Sequence, residues 1–302
     1  MLKSYGADLP YAERFLASLE RFARDDIPLY VVVPDSDVAE FDRMVAGRGE
    51  VLPESLWAHH LVTDRIHGNS AGYINQEIIK LTFHEQGLLE NYLCVDSEAI
   101  FIRPFGIDEF MVDANTPYTF VTEDSELSAD PQYEESYGRA RRESLAQLRK
   151  WLDLPATPIQ TCHNMAVFSS LVLESLSKEL DRKQMSYADA MQLCPYEFSW
   201  YNFWLEKSKV IPRIVREPIF LMVHMEHQHL EYALKGISEA DFARGYVGLL
   251  VNSGFSRNYG LVDFHEPLPK VLGRYVRMKD LSRALWHRSL KRAPRVRRML
   301  RL

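Results

Sequence analysis

Short apolar runs alternate with amphipathic stretches over the first hundred residues, and no other feature restricts the fold as much. Residues 2–5, 29–33, 60–63 and 92–95 read as short strands. Between the first two, residues 9–23 carry an apolar stripe of Ala12, Phe15, Leu16, Leu19 and Phe22 behind a capping Asp8. Residues 38–46 set Val38, Phe41, Met44 and Val45 behind Ser36 or Asp37 as N-cap. The loop-like 68–72 leads into a helix whose apolar side is Tyr73, Ile74, Ile78 and Leu81. Strand and helix in alternation predict a mixed, mostly parallel central sheet flanked by helices, an α/β fold. Further along, 118–121, 166–168 and 220–223 read as strands, and 171–180, 199–207 and 239–251 as helices. The charged segment 123–150 reads as a flexible loop followed by an exposed helix ending near Trp151. No GxGxxG or GxxxxGK[ST] loop is present, which removes the commonest dinucleotide and P-loop readings.

The chemistry concentrates in Tyr92-Leu-Cys-Val-Asp96-Ser97-Glu98-Ala-Ile-Phe-Ile-Arg103-Pro104-Phe105. A buried strand ends abruptly in two carboxylates, and a second apolar run follows at once. In extended backbone residues i and i+2 point the same way, so Asp96 and Glu98 are expected to project together from a strand end. Open α/β sheets bind their ligands there. Two convergent carboxylates call for a cation between them, and a hard divalent ion carrying a substrate diphosphate suits the position. Other acid-x-acid triplets fall on helical or loop-like stretches, save Asp35/Asp37, which helix capping explains.

Composition bounds the rest. A chain of 302 residues, 46% hydrophobic, supports a sizeable core in one large domain or two small ones. Three cysteines at unrelated spacings make neither a disulfide framework nor a zinc site, so a reducing cytoplasm is expected. No apolar run approaches the roughly 20 residues that cross a bilayer, and no signal-peptide core is evident. Residues 274–302 hold eleven Lys/Arg and one acid, a net +10, which leaves −16 on residues 1–273 of the formal −6. An acidic body argues against a nucleic-acid partner. A basic tail interleaved with Trp286 and leucines resembles an interfacial helix on anionic lipid, although Pro294 divides it. The expected organisation is a domain over 1–270 and a basic amphipathic tail over 271–302, peripheral on the inner face of a membrane.

Together these motifs resemble glycosyltransferases of the GT-A type. More narrowly, they resemble a bacterial family carrying Gln-Gln-x-x-Lys-Leu, then an apolar strand closed by Asp-Ser-Asp, then an Arg-Pro-Phe segment. The counterparts here are Asn75-Gln76-Glu-Ile-Ile-Lys80-Leu81, Val95-Asp96-Ser97-Glu98 and Phe101-Ile-Arg103-Pro104-Phe105. Lys3-Ser4-Tyr5 with Asp8 fits the family's opening, and Phe198-Ser199-Trp200-Tyr201 stands where the family has Phe-Ser-Glu-Tyr. The likeness spans roughly residues 1–220. Two departures are plain: the second Asp of Asp-x-Asp is Glu98, and the Glu of Phe-Ser-Glu-Tyr is Trp200.

The resemblance implies a GT-A (Rossmann-like) fold and metal-dependent transfer of a sugar from a nucleotide-sugar to a hydroxyl of a cell-envelope glycan or lipid-linked acceptor, with inversion. It implies donor binding by Lys3, Tyr5, Asp8, Gln76, Lys80, Asp96 and Ser97, and Mn²⁺ or Mg²⁺ on Asp96, Glu98 and a late histidine, His224. Gln76 and Lys80 are one helical turn apart and share a face. Glu197 is the acid nearest the missing glutamate and the candidate base for an acceptor hydroxyl; a helix-start acid favoured by the dipole is its plainer reading. His163 and Asn164 are candidates for the acceptor pocket, where a buried histidine would serve equally well. His224, His227 and His229 could instead form a zinc site without a clear fourth ligand, or a polar loop. The competing functions are a sugar nucleotidyltransferase and a catalytically degenerate transferase-like scaffold.

Overall fold

The computed structural model describes residues 1–123, 125–158, 160–161, 165–252, 254 and 262–274. Its elements begin with β1 (Leu2–Lys3), α1 (Leu9–Phe22), β2 (Tyr30–Val33), α2 (Val38–Val45), β3 (Glu50–Pro53), α3 (Ala71–Thr82), β4 (Asn91–Asp96), β5 (Ala99–Phe101) and β6 (Tyr118–Thr122). Next come α4 (Ser125–Ser128), α5 (Pro131–Tyr133), α6 (Arg139–Trp151), β7 (Gln160–Thr161), β8 (Met165–Ser169), α7 (Ser170–Arg182), α8 (Tyr187–Leu193) and α9 (Glu197–Ser208). The chain continues through β9 (Ile214–Arg216), β10 (Phe220–Val223), α10 (Glu226–Leu234), α11 (Glu239–Phe242), β11 (Gly248–Val251) and α12 (Leu268–Arg274).

The central sheet has the order β3-β2-β1-β4-β8. β1 pairs in parallel with β2 and β4, β2 in parallel with β3, and only β8 runs antiparallel, against β4. This is the mixed, mostly parallel α/β architecture that the alternation predicts. β1, β2, β4 and β8 are largely buried, with core on both faces, whereas the edge strand β3 buries only Leu52. Val32, Cys94, Ala166 and Phe168 face a core completed by α3, α7, α8 and α9. Val31, Val33, Val95 and Val167 face the opposite core, filled by Phe15 and Leu16 of α1 and Phe41 of α2. A second sheet, β10-β11-β5, and a third, β7-β6-β9, complete the described residues. The chain leaves the central sheet at Asp96 and enters the second at Ala99 through the Ser97-Glu98 turn.

Several local expectations are corrected. Residues 60–63 are not a strand; the third strand is β3, an edge strand ending in Pro53. Val62 satisfies its backbone with a side chain instead: its N–H donates to Asn75 Oδ1 at 2.8 Å, and its carbonyl accepts from Asn75 Nδ2 at 3.0 Å. Residues 239–251 are not one helix, because α11 stops at Phe242 and Gly248–Val251 form a fully buried strand. A four-residue apolar run buried on both sides has no period that separates strand from helix. Asp8 and Asp37 occupy N-cap positions but make no side-chain cap bonds. Asp37 Oδ2 accepts from the Gly6 N–H at 2.6 Å, and Asp35 accepts from Ser55. Finally, α6 is not an exposed helix: Arg141, Leu145, Leu148 and Arg149 are buried. Asp96 and Glu98 do not project together from one extended strand, since Ser97 and Glu98 form a turn.

Candidate active site

The order β3-β2-β1-β4 reverses direction between β1 and β4. The chain builds outward from β1 to β3, and α3 then returns it to the other side of β1. Ligands of open α/β sheets bind at such switch points, beyond the carboxyl ends of the strands. Lys3 and Asp96 stand in register across that point, and both line a cavity of about 690 Å³.

The same cavity gathers residues remote in sequence. Tyr5 and Asp8 follow β1; Gln76 and Lys80 come from α3; Asp96, Ser97 and Glu98 form the corner between sheets; Glu197 opens α9; His224 follows β10. The candidates for donor, metal and base thus share one space. His163 and Asn164 lie outside the described residues, as do 275–302 of the basic tail.

Lys80 is the electrostatic centre, with only 1% of its surface exposed. Its Nζ donates to Asp96 Oδ1 and to Glu197 Oε1, each at 2.8 Å, and lies 5.0 Å from the centre of the Phe198 ring. Gln76 Nε2 reaches the same Asp96 oxygen at 3.3 Å. Burial alone would lower the Lys80 pKa, but Asp96, Glu197 and Glu77 outweigh it and hold the ammonium well above the usual lysine range. Burial likewise opposes ionisation of Glu197, yet Lys80 and a hydrogen bond from Glu77 hold its carboxyl below the usual range. Glu77 moves the other way: burial, then the neighbouring Glu197 charge, push it well above the ordinary carboxyl value. The two neighbouring carboxyls are thus driven in opposite directions, and the one held lower is the one that accepts from Lys80. Lys3 is tied to Glu54 at 2.7 Å; burial lowers its pKa and Glu54 partly offsets this.

Glu77 was not among the residues singled out from sequence, although it precedes Lys80 by three and so shares its helix face. Arg141 also lines the cavity, its guanidinium 4.6 Å from the Tyr196 ring centre. Its signal was the spacing Arg141, Leu145, Leu148, Leu152, an i, i+4, i+7, i+11 stripe that places an arginine on the buried face. Tyr73, Tyr133 and Tyr196 add aromatic walls.

The late histidines separate. His224 lines the cavity, its ring 5.3 Å from that of Tyr133. His227 Nε2 instead meets the buried Asp130 Oδ2 at 2.6 Å, and His229 packs edge-on against Phe264 at 4.8 Å. Trp200 is fully buried, donates its indole N–H to the Cys194 carbonyl at 2.8 Å, and is not among the cavity-lining residues. Among the described residues, two groups bring three potential metal-ligating atoms within 4.8 Å of one another: His59, His60 and Glu85, and Glu239, Asp263 and His265. Neither includes Asp96, Glu98 or His224.

A model of one protein family, described as a family of unknown function (DUF6492), matches residues 2–224. No curated protein matches the chain. Among solved structures, it is similar to the apo form of mouse xyloside xylosyltransferase 1, with 10% sequence identity, a TM-score of 0.46, and coverage of 84% of this chain and 97% of that one.

Proposed function

We propose a function for this chain, which belongs to the DUF6492 family of unknown function: metal-dependent transfer of a sugar from a nucleotide-sugar donor to an acceptor hydroxyl. One observation carries this reading. Lys80, Asp96, Glu98 and Glu197, drawn from separate elements, meet in one cavity of about 690 Å³ at the switch point of a parallel sheet. That volume suits a ligand of nucleotide-sugar size.

Asp96, Glu98 and His224 line the cavity with two carboxylates and an imidazole, ligand types that suit Mn²⁺ or Mg²⁺, although Asp96 Oδ1 already accepts from Lys80 and Gln76. The three do not converge into a closed shell, so the diphosphate would supply further oxygens. When bound, the ion would neutralise charge developing on the departing nucleotide. In this reading Lys3, Lys80 and Arg141 add fixed positive charge around the diphosphate, while Gln76 holds the Asp96 carboxylate in place. Tyr5, Asp8 and Ser97 border the donor. Glu197, ionised beside Lys80, accepts the acceptor's hydroxyl proton in an inverting transfer. The +10 segment 274–302 supports a cell-envelope or lipid-linked acceptor met at an anionic inner membrane surface. Among the described residues no helix is long and apolar enough to cross a membrane.

The test is the coupling between metal and nucleotide. Calorimetric titration of nucleoside diphosphates with and without Mn²⁺ should show each ligand strengthening the other, reciprocally. Asp96→Asn should abolish that coupling and Glu98→Asp should keep it. Equal nucleotide affinity in EDTA and in Mn²⁺ would sink the metal role. With a turnover assay, Glu197→Gln should lose about 10²-fold or more, as general-base loss does, with donor affinity unchanged. The Lys80–Asp96 ion pair favours one second reading, a scaffold that binds nucleotide-sugar without transferring it. Donor binding without turnover for any acceptor would select it.

A further inference from the structure

Outside the cavity, the turn after β3 and the turn after α3 bring three metal-ligating side chains together. We propose that His59, His60 and Glu85 form a zinc site that is open to solvent. His60 Nε2 lies 3.0 and 3.1 Å from the two Glu85 carboxylate oxygens, and His59 Nε2 lies 3.7 Å from one of them. The two imidazole centroids are 3.9 Å apart. Zinc holds nitrogen and oxygen at about 2.0–2.2 Å, which sets neighbouring ligand atoms of a tetrahedral shell roughly 3.3–3.6 Å apart. The present spacings bracket that edge, so a zinc ion needs only small side-chain adjustments to seat.

Both ligand-bearing turns are fixed without the metal. Ala58 N–H donates to Ser55 O at 3.1 Å and His60 N–H to Trp57 O at 2.8 Å. Trp57 is fully buried, and its indole donates at 3.3 Å to the carbonyl of Thr82, the last residue of α3. Glu85 sits on the turn that follows, closed by Gly87 N–H on His84 O at 3.0 Å. The His60 ring is held edge-on against Tyr187 at 5.0 Å. Such preorganisation lowers the cost of assembling a shell. A His60–Glu85 hydrogen bond accounts for one imidazole. It does not account for His59, whose side chain is 63% exposed and still turns the same ring atom toward the same carboxylate. Neutral imidazole nitrogen and carboxylate oxygen are both ordinary zinc ligands. Three protein ligands leave the fourth position to water. The Glu239, Asp263 and His265 group is a poorer rival: Asp263 Oδ1 already accepts the His265 backbone N–H at 2.8 Å.

The experiment titrates the full chain, stripped with chelator, with ZnCl₂ by calorimetry and with Co²⁺ as a visible-absorption probe. One zinc per chain is expected here, with a tetrahedral Co²⁺ spectrum and a raised melting temperature. His59→Ala and Glu85→Gln should each weaken zinc binding at least about tenfold, the loss typical of damage to a metal shell. His265→Ala and Asp96→Asn should leave that affinity unchanged, which separates this site from the second cluster and from the cavity. Because both test positions lie at the surface, circular dichroism should report an unchanged fold. No zinc uptake by the full chain, or uptake equally tight in both variants, overturns the site. Neither result bears on the nucleotide-sugar reading.

Discussion

Lys80 shows how one residue is committed by its surroundings. A lysine with 1% exposure persists only because Asp96 and Glu197 both accept from it at 2.8 Å. Lys80→Met would leave both carboxylates without their cation. We expect a loss of about 3–5 kcal/mol, the usual result of removing one partner of a buried ion pair, measured by urea unfolding. Glu77 gives a pH-dependent prediction. Its folded pKa is raised by burial and by Glu197, above the ordinary 4.5. The folded chain therefore retains a proton that the unfolded chain releases, and stability falls as pH rises from about 4.5 toward the folded value. Glu77→Gln, a neutral isostere, should remove that slope. The variant's stability relative to the parent should increase with pH above 5, tracked by unfolding at several pH values; a constant difference would mean Glu77 is ionised in the fold.

At the scale of elements, the site depends on where β11 runs. Gly248 lies under the Phe220 ring, and any Cβ there would fall inside van der Waals distance of it. Gly248→Ala should cost about 1–3 kcal/mol by overpacking, read as a lowered urea midpoint, with Gly245→Ala as a mild control because nothing crowds that position. This strand also marks where sequence reading stops. The apolar run before Asp96 and the stripe of α3 were legible because β4 and α3 meet simple periodic requirements, and Lys80 and Asp96 could be placed from them. β11 was not legible, since Leu249, Leu250 and Val251 are buried together and carry no period. Nor was the loop at Val62, whose partner is the Asn75 side chain rather than a neighbouring strand. Arg141 was hidden by its charged neighbours Arg139 and Arg142, which are exposed on the same helix. The stripe it shares with Leu145, Leu148 and Leu152 is the local signal that those charges obscure.

The whole molecule divides its charge sharply, with −16 on residues 1–273 and +10 on residues 274–302. The 302-residue chain should sediment with anionic vesicles at low salt and release as salt screens the attraction. A chain ending at residue 273 should stay in the supernatant; equal sedimentation of both would remove the membrane proposal. The corner at Asp96, Ser97 and Glu98 carries a different implication. Its first residue ends a strand of the central sheet, and its last leads directly into a strand of the second. Neither sheet alone holds the carboxylate pair. A fragment, a swapped half or a transplanted sheet would inherit one acid and lose the other, so the unit that can be recombined, by evolution or in the laboratory, is the joined pair of sheets.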